Sequence, residues 1–366
     1  MERNEILKIY GTDYKENTRR LLEQADLASE IPSVGSRIGI KPNLVSAQPA
    51  QFGATTHPEV AAGIIEYLQE HGFRNMVILE SSWVGDKTPE AFEYCGYNRI
   101  AEQYGVELWD LQQDTSHMED CAGMQLRLCD SLKQIDFLIN VPVLKGHCQT
   151  KITCALKNLK GVIPNSEKRR FHTLGLHRPI AHLGAGVRQD FIVVDHICGD
   201  LDYEDGGNPV VRNCIMAAKD PVLMDSYVCR LLHYDVSEVP YVVLAGQLGV
   251  GSTDLSRAQI RVIGEEEKEE LPRAKKVVEV QYAVEALDSC SACYANLIPV
   301  LEQLKEEGLL ERLNEKIAIG QGYRGKSGEL GVGLCTSGFA HCIEGCPAES
   351  GQIYRELKAY ILEHGE

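Results

Sequence analysis

The chain has 366 residues, 44% of them apolar and 25% charged, and a formal charge of −16, so it is long enough for one large core plus a smaller second domain. The acidic balance argues against nucleic acid or an anionic membrane as the main partner, since both need a net basic surface. No apolar run is long enough to span a bilayer, and the N-terminal MERNEILKIYGTDYKENTRR is too polar for a secretory leader, which leads us to expect a cytoplasmic protein with reduced thiols.

In chain order, RIGI (Arg37 to Ile40) reads as a short buried strand ending at Lys41-Pro42-Asn43. TTHPEVAAGIIEYLQEHG follows as a helix, with Thr56 and Glu59 as a capping box, Pro58 in the first turn, and Val60, Ile64, Ile65 and Leu68 as its apolar face. NMVILE is a second strand ending at Glu80, and strand, helix, strand in that order make a right-handed parallel crossover. Apolar runs recur at DFLINVPV, DFIVVDHI and YVVLAG with helical patterns between them. The fold expected is α/β, a mostly parallel sheet covered by helices. A charged stretch, GEEEKEELPRAKK, separates this α/β domain (1–263) from a smaller Cys-rich α/β subdomain (264–366).

The charge is unevenly spread. Phe137 to Gln189 holds nine Lys or Arg against a single acid, Glu167, together with His147, His172, His177 and His182. For any one lysine, a solvated surface paired with distant acids is the simpler reading. Cations grouped without local acids point instead to a small anionic ligand, a carboxylate or a phosphate. Ligands of parallel sheets bind beyond the carboxyl ends of the strands. Lys41, Asn43, Glu80, Ser81, Asn140, Lys145, Asp195 and His196 fall at the expected strand exits. TKITCALKNLKG then reads as a short helix with Lys151, Cys154 and Asn158 along one face and an anion-attracting N-terminus. The anion-binding candidates are Lys41, Lys145, Lys151, Lys157 and Asn158. His147 and Asp195 are the candidate proton carriers, Asp195 either as a base or as the orienting partner of His147.

KPNLV, THPEV, NVPVLKGHCQTKITCALKNLKGVIP, VVDHICGDLDYEDGGNPV and AAKDPVLMD resemble the signature blocks of the domain-of-unknown-function family 362, over roughly Ile38 to Ser252. The resemblance implies an iron–sulfur-associated α/β protein and leaves the reaction open. Many relatives carry a ferredoxin run, C-x2-C-x2-C-x3-C-P, which this sequence lacks.

Five cysteines instead cluster near the C-terminus: Cys290 and Cys293 in SCSACYANL, and Cys335, Cys342 and Cys346 in GLCTSGFAHCIEGCP. Each group leads into a helical pattern whose N-terminus suits negative charge, and the glycines between them allow N–H bonds to sulfur. Three readings stand. A [4Fe–4S] cluster would take Cys290, Cys293 and Cys346, with Cys335 as fourth ligand and Cys342 in reserve. Structural zinc would prefer two close pairs, Cys290-x2-Cys293 and Cys342-x3-Cys346. Buried free thiols are the plainest alternative. The acidic DHICGDLDYEDGG reads as a solvated loop rather than a calcium site, and AGQLGVGS is not the dinucleotide fingerprint.

Two function classes follow. In one, an iron–sulfur protein binds a small anion for a redox or lyase/isomerase-type reaction, with a redox protein partner. In the other, the metal site is structural and the chain is a binding or carrier module.

Overall fold

The computed structural model describes residues 1–265, 270–274 and 276–365; residues 266–269 and 275 of the charged stretch lie outside the described residues. The chain divides into two units. The first comprises Met1–His147, Ile152–Arg169 and His177–Arg273, and the second Cys148–Lys151, Arg170–Leu176 and Ala274–Glu366. Among the described residues no helix is long and apolar enough to cross a membrane.

The strands up to residue 263 are β1 (Glu5–Tyr10), β2 (Ile38–Pro42), β3 (Met76–Glu80), β4 (Glu107–Asp110), β5 (Ser116–Cys121), β6 (Met124–Cys129), β7 (Phe137–Val141), β8 (Lys145–His147), β9 (Lys151–Thr153), β10 (Phe191–Asp200), β11 (Pro209–Ala218) and β12 (Gln259–Ile263). Eight of them form one sheet in the order β12-β1-β11-β10-β7-β2-β3-β4. The half from β10 to β4 is parallel, as the apolar runs predict, whereas β11 runs antiparallel to both β10 and β1. The parallel strands are buried on both faces and read as continuous Ile, Val and Leu.

Helix Pro58–Glu70 forms where its 3.6-residue apolar period predicts. Its Val60, Ile64, Ile65 and Leu68 share one buried cluster with Ile38, Ile40, Ile78 and Ile139 of the sheet and Leu21 and Leu22 of helix Tyr14–Ala25. Each such side chain contributes about 1.5–3 kcal/mol on burial. The capping box does not form: His57, not Thr56, is the N-cap, and it makes no side-chain cap bond. The Thr56 hydroxyl is taken by the strand ends, donating to Val141 O at 2.8 Å and accepting from Asn43 N at 2.8 Å.

Two other expectations are corrected. YVVLAG is not a strand but lies in helix Pro240–Gln247, opened by a proline in its first turn. TKITCALKNLKG is not one helix: Lys151 to Thr153 is extended, with Lys151 at φ 66°, and the helix is only the turn Ala155–Asn158. Lys151, Cys154 and Asn158 therefore do not share a helical face.

In the second unit, β13 (Val284–Ala286), β14 (Ile317–Ile319), β15 (Leu330–Val332) and β16 (His341–Ile343) form a parallel sheet in sequence order. Helices Ser291–Glu306 and Ser350–His364 belong to the same unit. Ile298, Leu301, Ile353 and Leu357 of these helices and Ile317 and Ile319 of the sheet are buried.

Candidate functional site

The carboxyl ends of β7, β2 and β3 present a row of polar residues. Lys41 stands opposite Asn140 in register, and Glu80 closes β3 next door. Lys41 Nζ donates to Glu80 Oε2 at 2.8 Å and to Pro42 O at 2.6 Å, wholly shielded from water. The Glu80 carboxylate also accepts from Leu44 N at 2.8 Å and Ser81 N at 2.7 Å. Burial pushes the Lys41 ammonium down against the pull of Glu80. Lys41 thus already holds a carboxylate, although none of the acids near it in sequence supplies one.

Asn158 braces the same row. Its Nδ2 donates to Asn140 Oδ1 at 2.7 Å and to the Lys41 and Pro42 carbonyls at 3.3 Å. The helix turn before it offers no free anion site, because Asp225 accepts from Ala155 N at 2.8 Å and Leu156 N at 3.1 Å. Burial raises that carboxyl to about 7. At Gly161 a Cβ would overlap Glu80 Oε1 and Lys41 Nζ. Gly161→Ala is expected to cost about 1–3 kcal/mol through this overpacking, read as a lowered midpoint in thermal unfolding.

Beyond the row the lysines gather. Lys168 Nζ donates to the Ser81 and Ser82 carbonyls, both at 2.6 Å. Lys145, fully buried, donates to the Ala54 carbonyl at 2.6 Å and to that of Glu204. The Glu204 carboxylate meets His147 Nε2, and Lys157 Nζ lies 3.9 Å from the same oxygen. Lys160 makes no hydrogen bond or ion pair among the described residues, yet Lys157 and Glu204 both act on it electrostatically. Burial, reinforced by the neighbouring Lys157 charge, pushes Lys145 and Lys160 down to about 7. Lys168 is likewise pushed down to about 7 by burial.

Glu204 arrives on the acidic loop after β10. Asp200 shapes that loop by accepting from Asp202 N, Tyr203 N and Asn208 N at 2.8–2.9 Å. Its carboxylate is therefore satisfied by backbone N–H groups, as a structural loop requires. Gly146 lets the loop approach, since a Cβ there would overlap the Leu201 carbonyl.

Asp195 does not orient His147. It lies within β10, which runs on past the ends of β7 and β2, and its Oδ2 meets His57 Nδ1 at 2.8 Å. His196 is buried beside it, and burial drops that imidazole to about 3, so it stays neutral. Lys151 falls in the second unit.

In the second unit Cys290 is the N-cap of helix Ser291–Glu306. The Cys293 thiol and the first N–H groups of the helix bond to its sulfur and lower it to about 6. Arg324 bonds to the Cys335 sulfur, and its charge also interacts with Cys346 and Cys290. Gly333, at φ 91°, gives Cys293 room: a Cβ there would sit 3.3 Å from the sulfur. The Cys342 sulfur lies 3.6 Å from Gly333 O and 3.5 Å from Thr336 Oγ1.

Residues 38–230 match the family described as domain of unknown function (DUF362). The chain belongs to this family. In this DUF362 chain the blocks legible in the sequence supply the groups described above: KPNLV gives Lys41, NVPVLKG gives Asn140 and Lys145, AAKDPVLMD gives Asp225, and THPEV gives His57, the partner of Asp195. A thylakoid-associated protein of Synechocystis is 24% identical over 245 residues, which are 64% of this chain and 75% of its own. The lactate racemase apoprotein of Thermoanaerobacterium thermosaccharolyticum matches with a TM-score of 0.39 at 15% identity. That match covers 64% of this chain and 57% of the racemase, so the chain spans little more than half of that protein.

Sequence reasoning missed Glu204 and His57 as site residues. Glu204 lies 57 residues beyond His147, in a loop rich enough in acids to pass for a solvated one. His57 hid inside a helix-start pattern. Sequence reasoning placed Lys160 in the basic run but did not single it out; its lack of a hydrogen bond or ion pair among the described residues is what distinguishes it.

Proposed function

We propose that this DUF362 protein is an iron–sulfur protein whose first unit binds a small carboxylate or phosphate between Lys157 and Lys160, with Lys145 behind them. The observation that supports this most is Lys160, half-buried beside two other lysines and without a hydrogen bond or ion pair among the described residues. Glu204, which offsets the group, is shared between His147 and Lys157. A half-buried ammonium beside other lysines, with no ion pair among the described residues, is disfavoured in its charged form, and an anion would relieve that cost. The test is a calorimetric titration with inorganic phosphate, described below.

Cys290, Cys293, Cys335 and Cys346 are proposed to hold a [4Fe–4S] cluster. The C-x2-C pair Cys290–Cys293 together with the Gly-Cys-Pro at Cys346 is the pattern that favours a cluster over a single ion. Arg324 and the Cys290 helix terminus supply the positive charge that an anionic four-thiolate cluster needs. When bound, such a cluster supplies one-electron transfer. Anaerobically purified protein is expected to contain about four iron and four sulfide per chain. Cys290→Ser or Cys346→Ser should lower that iron content, and Cys342→Ser should not; one zinc per chain in colourless protein would reject the proposal.

The binding or carrier reading draws support from His147 and Asp195. Both candidate proton carriers are already engaged, by Glu204 and His57.

A further inference from the structure

Away from the lysines, three residues of the first unit line up. Asp195 Oδ2 meets His57 Nδ1 at 2.8 Å and also accepts from His57 N at 2.7 Å. The other ring nitrogen, Nε2, faces Cys198 Sγ at 3.9 Å. All three are buried, with Cys198 4% exposed. The order carboxylate, imidazole, thiol is the one that activates sulfur nucleophiles: the acid fixes the tautomer and stabilises the imidazolium, and the imidazolium pairs with the thiolate. Burial opposes a charge on His57, but the Asp195 carboxylate and its hydrogen bond outweigh it and lift the imidazole to about 10. The Tyr14 ring packs edge-on against His57 at 5.5 Å and limits its rotation. Asp195 also accepts from Ile197 N at 3.0 Å, so its carboxylate is held by backbone N–H groups and the imidazole bond is additional to them.

We infer that Asp195, His57 and Cys198 form a relay that makes Cys198 a peroxide-reactive thiol, oxidised to a sulfenic acid by a small hydroperoxide. The Cys198 thiol donates to the Ala50 carbonyl at 3.4 Å, a bond given up when its proton passes to His57, and burial selects the reagent, because hydrogen peroxide is little larger than water. Cys198 reacts as the thiolate and attacks one peroxide oxygen. The S–O bond forms as the O–O bond breaks, and the departing hydroxide takes the proton from His57 Nε2 and leaves as water. Sulfur loses two electrons and the peroxide gains them, with Cys–SOH and neutral His57 as the remaining products.

The experiment treats the full-length protein with limiting hydrogen peroxide, removes the excess with catalase after a set time, unfolds the protein in denaturant containing dimedone to trap sulfenic acid, and locates the adduct by peptide mass spectrometry. Cys95 is the internal standard. It is equally buried at 4%, bonds to the Ser46 and Gln48 carbonyls, and is raised to about 11 by burial. Trapping at Cys198 is expected to run at least about tenfold faster than at Cys95, and Asp195→Asn should remove most of that advantage. Equal trapping at the two cysteines, or an undiminished rate at Cys198 in a folded Asp195→Asn protein, would overturn the inference. Should that variant fail to fold, the ratio in the unmutated protein still decides.

Discussion

Replacing Lys41 with methionine is expected to destabilise the first unit by about 3–5 kcal/mol. The Lys41–Glu80 pair is almost completely removed from water, at 0% and 3% side-chain exposure. Its attraction offsets a desolvation cost that is incurred as soon as the sheet closes. Removing only the lysine leaves Glu80 buried beside Gly161, which has no Cβ to occupy the vacated space. The carboxylate keeps its bonds from Leu44 N and Ser81 N but loses its counterion. The midpoint of urea unfolding, followed by the far-ultraviolet signal, checks the size of the loss. The double replacement Lys41→Met with Glu80→Leu should recover much of it, because an apolar pair carries no desolvation cost. A single variant as stable as the unmutated protein would mean that Glu80 finds another partner.

The second large effect concerns ligand affinity. Lys157→Ala combined with Lys160→Ala should weaken phosphate binding by at least about tenfold, since two charge-assisted contacts are lost together. Both residues lie on the turns that follow β9, and the Lys41–Glu80 bond involves neither, so the sheet should survive the change. The sign of the pH dependence follows from the lysines held near 7. Above that value Lys145 and Lys160 shed protons, and an arriving anion favours their charged forms. Affinity should fall as pH rises from about 6.5 to about 8.5, and binding at the upper end should draw protons from solution. Affinity that held constant across that interval would show that these amines do not face the ligand.

The parallel half of the sheet was legible because a strand buried on both faces must be a continuous run of β-branched and other apolar residues. β2, β3, β7 and β10 are such runs. β11 escaped notice because Pro209 and the interrupting Arg212 and Asn213 break up its first half, and only its far end reads as a buried run. Tyr241 to Gly246 misled because a short apolar run does not separate a buried strand from a buried helix by period, and Pro240 settled the choice toward helix.

The site was legible in residue type but not in pairing. The lysine run marks where cations collect, whereas the acid beside Lys157 is Glu204, far away in sequence, just as Lys41 outside the run takes Glu80. Asp225 closes the helix turn that otherwise looks open to an anion. Such long-range pairs leave no local periodicity. His57 carries a weak signal in hindsight: it precedes a first-turn proline, where a capping Ser, Thr, Asp or Asn would be usual. A residue that departs from local preference at a helix start is a fair candidate for a task elsewhere, and here that task is the bond to Asp195.

The most direct test of the anion site is calorimetric titration of the unmutated protein with inorganic phosphate at about pH 8, in two buffers of different ionisation heat. Saturable binding whose apparent heat differs between the buffers, in the sense of protons entering the protein, is the predicted result, and it should vanish in the Lys157→Ala/Lys160→Ala protein. No saturable heat, or binding that moves no protons and persists in that variant, would contradict it.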